Sequence, residues 1–199
     1  MNHTLEVSRK VTVTKIALTG KLRTGKDTVA HHLFIRNSFH KVAFGDALKR
    51  VAHDTFPWVS EFSKPRALYQ QVGQLMREIE PDVWIRHVER QVDAIINVNK
   101  DMCDHVGVII TDLRQPNEYE WARSNGFTII RVNAPEADRL ARAQRAGDDF
   151  AAEDLAHDTE QHVDGFTVDF EVVNDGTVVE LKAKVDAIMA EINAKGAVN

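Results

Sequence analysis

Residues 13–19 read Val-Thr-Lys-Ile-Ala-Leu-Thr, and Gly20-Lys21-Leu22-Arg23-Thr24-Gly25-Lys26-Asp27-Thr28 follows directly. Val29, Ala30, Leu33 and Phe34 then recur at helical spacing. Few architectures accommodate this order. The apolar run reads as a buried strand, the spaced apolar residues read as a helix over 26–37, and the glycines between them mark a tight turn. Glycine at both ends of that turn lets backbone N–H groups converge into a concave anion site. The helix starting near Lys26 adds the positive end of its dipole.

The rest of the chain continues the alternation. Residues 41–44 read as a short strand, 46–56 as a helix, and Pro57 and Pro65 bracket a loop before a helix over 66–79. Ile85, Val88, Val92, Ile95 and Ile96 form the apolar stripe of a stronger helix at 82–97. The β-branched run 106–111 suits a buried parallel strand, with Asp112 at its carboxyl end. A helix over 116–125 is framed by Pro116 and Gly126, and a strand over 127–132 follows. An arginine-rich helix at 136–146 leads into a polar segment, 147–166, read as mobile. A last strand (168–173), an Asp175-Gly176 turn and a helix over 177–193 close the chain. Strands alternating with helices predict an α/β fold, a parallel sheet with helices on both faces. In such a sheet ligands bind at the carboxyl ends of the strands, where Gly20 and Asp112 lie.

Composition narrows the function classes. The 199 residues fit one domain, or one domain with a mobile insert, and 43% hydrophobic with 28% charged residues suits a core under a soluble surface. The net charge of -5 argues against a nucleic-acid partner. The single cysteine, Cys103, excludes an intrachain disulfide, and with His105 it falls far short of a zinc set. No apolar run is long enough for a signal peptide core or a membrane span, so the expectation is a cytoplasmic protein with no membrane partner.

Gly20-x4-Gly25-Lys26 has the Walker A spacing in its required strand-to-helix setting, which predicts ATP as the ligand, with Gly20, Lys21, Thr24, Gly25, Lys26 and Thr28 around its phosphates. Asp27 stands where Ser or Thr usually ligates Mg2+. A carboxylate is also a good magnesium ligand, so Asp27 is a candidate metal residue, its alternative being a first-turn acid that favours the helix dipole. Asp112 is a second candidate for magnesium, through water, with acceptance of a hydrogen bond from the loop and plain helix capping as alternatives. Arg23 within the loop and Arg114 after Asp112 are candidates for the transferring and acceptor phosphates. Arg139, Arg142 and Arg145 lie three apart as one cationic stripe beside the polar segment, as a closing lid requires, and Arg142 and Arg145 sit nearer that segment. Lys49, Arg66 and Arg77 are candidates for the acceptor phosphate, and Trp84 is read either as a base-stacking ring or as core.

The run Thr19-Gly20-Lys21-Leu22-Arg23-Thr24-Gly25-Lys26-Asp27-Thr28 resembles the phosphate loop of phage-type deoxynucleoside monophosphate kinases, which carry an internal arginine and Gly-Lys-Asp. Phe44-Gly45-Asp46-Ala47-Leu48-Lys49, Gln70-Gln71-Val72-Gly73 with Arg77, and Pro81-Asp82-Val83-Trp84 are similar to segments of that family in the same order. So are Thr111-Asp112-Leu113-Arg114-Gln115-Pro116-Asn117-Glu118, His157-Asp158-Thr159-Glu160 and Asn174-Asp175-Gly176-Thr177. The resemblance spans about residues 14–190. It implies a P-loop three-layer fold with monophosphate-binding helices at about 45–100 and a lid at about 136–166. It also implies Mg2+-dependent transfer of the γ-phosphoryl of ATP to a small-molecule (deoxy)nucleoside monophosphate. By resemblance Asp46, Gly73, Glu118 and Glu160 join the acceptor or lid side. The Gly-Lys-Asp variant is shared with animal phosphomevalonate kinases, so a kinase of another small phosphorylated metabolite, including dephospho-coenzyme A, stays open. A regulatory module that binds ATP without transfer is the reading from a different class. The helix at 82–97 is long enough to pack internally or against a second copy of the chain, as a homodimer.

Overall fold

The computed structural model describes residues 11–63, 65–146 and 162–196. Five strands form one parallel sheet: β1 (Thr12–Thr19), β2 (Phe39–Val42), β3 (His105–Ile110), β4 (Thr128–Asn133) and β5 (Phe170–Val173), in spatial order β2-β3-β1-β4-β5. The central β1 pairs with β3 from Thr12 opposite His105 to Ala17 opposite Ile110, and with β4 from Ile16 opposite Thr128. Strand order therefore reverses at β1, and the crevice of such a sheet opens beyond the carboxyl end of that strand.

Alternating side chains feed two cores. Ala17, Val108, Ile110 and Ile129 face one side, where α2 (Phe44–Thr55), α4 (Val83–Asn99) and α5 (Pro116–Ser124) pack through Ala47, Trp84, Val88 and Ala122. Ile16, Leu18, Ile109 and Ile130 face the other, against Leu33 of α1 (Lys26–Asn37) and Leu181 and Val185 of α7 (Val178–Gly196). Each fully buried aliphatic side chain contributes about 1.5–3 kcal/mol. Both faces being covered is why these strands read as continuous apolar runs. Two more helices, α3 (Arg66–Ile79) and α6 (Glu136–Arg145), flank the sheet's carboxyl end. Among the described residues, no helix is long and apolar enough to cross a membrane.

The second strand is displaced from its expected place. Residues 41–44 were expected as strand, but β2 is Phe39–Val42 and Phe44 already opens α2. The cause is a long-range contact: the Asp112 carboxylate accepts hydrogen bonds from the backbone N–H groups of Phe44 and Gly45, each at 2.9 Å. Those are two of the otherwise unpaired donors of a helix start, so they fix where the helix begins. The last strand also starts two residues later than the pattern implied, at Phe170.

Candidate active site

The turn after β1 has the strained backbone its glycines foretold. Gly20 has φ 133° and Gly25 φ 108°, both left-handed values. A Cβ on Gly20 would run into the carbonyl oxygen of Val132, and one on Gly25 would lie 2.5 Å from Nδ2 of Asn174. Arg23 takes φ 60°, an unusual value for a side-chain-bearing residue. Thr24 is buried and donates its hydroxyl to the Lys21 carbonyl at 3.0 Å. Lys26 is also buried, and its ammonium donates to the Gly20 and Lys21 carbonyls at 2.5 and 2.7 Å.

The loop is braced from behind. Arg139 donates to the Leu22 carbonyl at 3.4 Å, and Arg142 donates to the Arg23 and Asn174 carbonyls at 3.2 and 3.1 Å. Buried Asn174 donates to the Thr24 carbonyl at 2.8 Å. Three successive loop carbonyls are thus held by α6 and by the residue that follows β5. For Arg142 this differs from the lid role expected of it, because its guanidinium is committed to backbone oxygens. Asn174 entered the sequence reading only within the Asn174-Asp175-Gly176-Thr177 segment of the family resemblance, with no role assigned. Its bracing contact lies 150 residues away from Thr24 along the chain, so no local pattern could announce it.

Two recesses meet at this loop. A cleft of about 810 Å³ is lined by Arg23, Gly25, Lys26, Asp27 and Thr28 on the loop side, by Asp46, Lys49 and Arg66 from α2 and α3, and by Thr111, Asp112 and Arg114. A second recess of about 470 Å³ is lined by Asp138, Arg145, Asn174, Asp175, Gly176 and Leu181. The two share Gly25, Thr28 and Arg142. Within the cleft Asp46 and Lys49 form an ion pair at 3.5 Å, so each tempers the other's charge. Lys21 lines neither recess, and its ammonium pairs with Asp164 at 2.5 Å.

Packing bears on three of the expected site residues, Trp84 and Gly73 on the acceptor side and Asp112 at the candidate metal position. Trp84 is 2% exposed and sits in the core, its indole N–H donating to the Gly73 carbonyl at 3.4 Å and its ring stacked beside His87, so it offers no open face to a base. Gly73 is buried where α3 meets Leu48 of α2, and a Cβ there would touch Leu48 at 3.4 Å; its role is close packing. Asp112 accepts an N–H of α2 on each carboxylate oxygen, as its capping alternative expects, and also lines the cleft. Glu160, with His157, lies outside the described residues.

Asp112 and Glu118 are both buried, and a small recess of about 100 Å³ is lined by them with Phe44, Gly45, Leu48, Arg77, Trp84, Arg114 and Gln115. Burial pushes the Asp112 carboxyl up, against the pull of the Gly45 and Phe44 N–H groups and of Arg114. Glu118 is pushed up to about 7, first by burial and then by the Asp112 charge. Hydrogen bonds from the Gln115 and Arg114 backbone N–H groups to its Oε2, both at 3.0 Å, and the Arg77 charge oppose that rise.

A magnesium site can be tested against this donor set. Among the described residues, no three His, Cys, Asp or Glu side chains converge. Asp27 is exposed on the cleft wall at the first turn of α1, one residue after Lys26. One carboxylate beside bound phosphates is an ordinary magnesium arrangement, so the residues present fit that ion.

The AAA domain family (AAA_18) matches over residues 16–160, from β1 past α6. The chain belongs to that family. As an AAA domain it also resembles proteins of low sequence identity. ORF77, an uncharacterized protein of Ictalurid herpesvirus 1 (strain Auburn), is 23% identical over 185 residues, 92% of this chain and 74% of that protein. A sugar kinase of a Janibacter species superposes with a TM-score of 0.56 at 13% identity, over 95% of this chain and 98% of that one. Shikimate kinase of Acinetobacter baumannii, solved with shikimate, gives 0.52 at 16% identity, over 94% and 96%. These likenesses establish the three-layer fold of P-loop kinases for this AAA domain.

Proposed function

We propose that the chain transfers the γ-phosphoryl of ATP to the phosphate of a (deoxy)nucleoside monophosphate. The observation that carries this reading is the pair of recesses that meet at Gly25, Thr28 and Arg142 of the phosphate loop and its brace. A nucleotide donor fits with its nucleoside in the recess bounded by Arg145, Asn174 and Leu181, and its phosphates over the loop. The acceptor then enters the cleft, where Lys49, Arg66 and Arg114 gather positive charge opposite Lys26. That the superposable proteins include kinases of small metabolites supports the reaction class.

Transfer of this kind depends on positioning and charge neutralisation. An acceptor phosphate oxygen attacks the γ-phosphorus, the bond to the β-phosphate oxygen breaks, and the products are ADP and the nucleoside diphosphate. Lys26, after leaving the Gly20 and Lys21 carbonyls, holds the β- and γ-oxygens, and the backbone N–H groups of the Gly25 turn donate to the β-phosphate oxygens. Arg23 faces the transferring group from the cleft wall, and Arg114 and Arg66 orient the acceptor. Asp27 would hold magnesium through one carboxylate oxygen; when bound, the ion supplies charge neutralisation between the β- and γ-phosphates.

The test is ADP formation from ATP and magnesium with each ribo- and deoxynucleoside monophosphate, beside Lys26→Ala. Turnover with at least one of them, lost in the variant, supports the reading. ATP binding without turnover on any nucleotide refutes it and directs the search to other phosphorylated metabolites.

A further inference from the structure

The small recess beside the cleft holds two polar groups with unused capacity. Glu118 is 4% exposed, and its Oε2 takes two backbone N–H groups, while its Oε1 has no hydrogen-bond partner among the described residues. Arg77 lines the same recess from α3 and makes no hydrogen bond or ion pair among the described residues, although its charge is felt at Glu118. An acceptor and a donor therefore share one recess without meeting each other. Asp112 is spent on α2, and the Trp84 N–H on Gly73. A free carboxyl oxygen on buried Glu118 and the half-buried Arg77 guanidinium offer an acceptor and a donor side by side, which a group with an N–H beside a carbonyl can bridge.

Size and position narrow that group. Asp112 and Arg114 line both the recess and the cleft, so a molecule with its phosphate in the cleft has the recess at its side. A recess of about 100 Å³ is on the scale of one six-membered ring, since a cavity of about 150 Å³ holds benzene. Phe44 and Leu48 provide apolar walls for a flat ring. We propose that this recess seats the base of the acceptor, that it takes a single-ring base in preference to a fused bicyclic one, and that Glu118 and Arg77 read the ring's N–H and carbonyl edge. The acceptor class is then the pyrimidine nucleoside monophosphates whose ring carries an N–H beside a carbonyl, those of thymine and uracil. The inference rests on the cleft being the acceptor site, and Glu118 and Arg77 are its specificity-determining residues.

The experiment pairs binding with turnover on the full chain. Calorimetry with dTMP, dCMP, dAMP and dGMP measures affinity, and coupled ADP release measures kcat/KM for the same nucleotides. The wild type, Glu118→Gln and Arg77→Gln are compared, with thermal melts to establish that each variant is folded. The expected result is a preference for dTMP over both purine nucleotides of about tenfold or more, and a loss of about 10- to 100-fold in dTMP affinity in each variant with ATP affinity unchanged. Arg77→Gln keeps the test decisive should Glu118→Gln fail to fold. Purine turnover equal to or above pyrimidine turnover overturns this inference and leaves the kinase reading standing. Pyrimidine binding that is sensitive to both variants but never followed by ADP release upholds the recess and refutes the kinase reading. Binding of all four nucleotides unaffected by either substitution, or of none of them, shows a recess filled only by water and overturns the inference.

Discussion

Replacing Glu118 with Gln isolates the energetics of a carboxyl that the fold holds in a dry place. The group has an ordinary value of 4.5 and is pushed up to about 7, so the folded chain retains its proton over an interval where the unfolded chain has released it. Stability tied to this group is therefore complete below pH 4.5 and is lost progressively as the pH rises through about 7. The interval corresponds to about 3 kcal/mol. Gln keeps an oxygen able to accept the Arg114 and Gln115 N–H groups but has nothing to ionise. Urea unfolding followed by tryptophan fluorescence, repeated from pH 4.5 to 8.5 on both proteins, gives the comparison. The wild-type stability, taken relative to Glu118→Gln, should fall by about 3 kcal/mol between pH 4.5 and 7.5 and level off above. A flat difference across that range would show that the carboxyl ionises freely, through water or a cation, and would refute the account of its burial. Asp112→Asn supplies a cross-check: removing the neighbouring charge, the second cause of the rise, should move the fall to lower pH.

Other expectations follow from the phosphate loop and the core. Lys26→Ala should lower turnover at least about 100-fold, measured by ADP release. Gly25→Ala forces a side chain into the left-handed region and against Asn174, so it should abolish ATP binding in calorimetry. Asn174→Ala leaves the Thr24 carbonyl without its partner; a loss of about 1–3 kcal/mol in urea unfolding and weaker ATP binding are expected, and unchanged affinity would count against the bracing role. Trp84→Ala should cost about 3–5 kcal/mol of stability, whereas an effect on acceptor KM alone would restore the base-stacking role.

Local periodicity and turn chemistry made the helices and the sheet class readable, because each element is covered on known faces. The α4 stripe of Ile85, Val88 and Val92 is buried as its spacing required. What stayed hidden depends on partners distant in the chain. The start of α2 is set by Asp112, 68 residues after Phe44. Arg142 fits a cationic stripe equally well whether it meets phosphate or carbonyl oxygens, and only its contacts with Arg23 and Asn174 decide. Trp84 is apolar with one N–H, so its sequence is neutral between core and binding surface, and burial settles it. The paired recess of Arg77 and Glu118 joins α3 to α5, and no motif spans the two.

The way the chain is threaded has a consequence for how such a protein changes allegiance. The residues flanking the donor recess come from the two ends of the fold, Gly25 and Thr28 at one end and Asp138 to Leu181 at the other. The side recess, by contrast, is lined wholly from one uninterrupted stretch, Phe44 to Glu118. Asp112 fastens the start of that stretch to the sheet through main-chain groups, a contact indifferent to the side chains around it. With the acceptor's base in the side recess, as proposed, exchange of a single contiguous segment in one recombination event would transplant the taste for an acceptor while leaving the residues of the other recess in place.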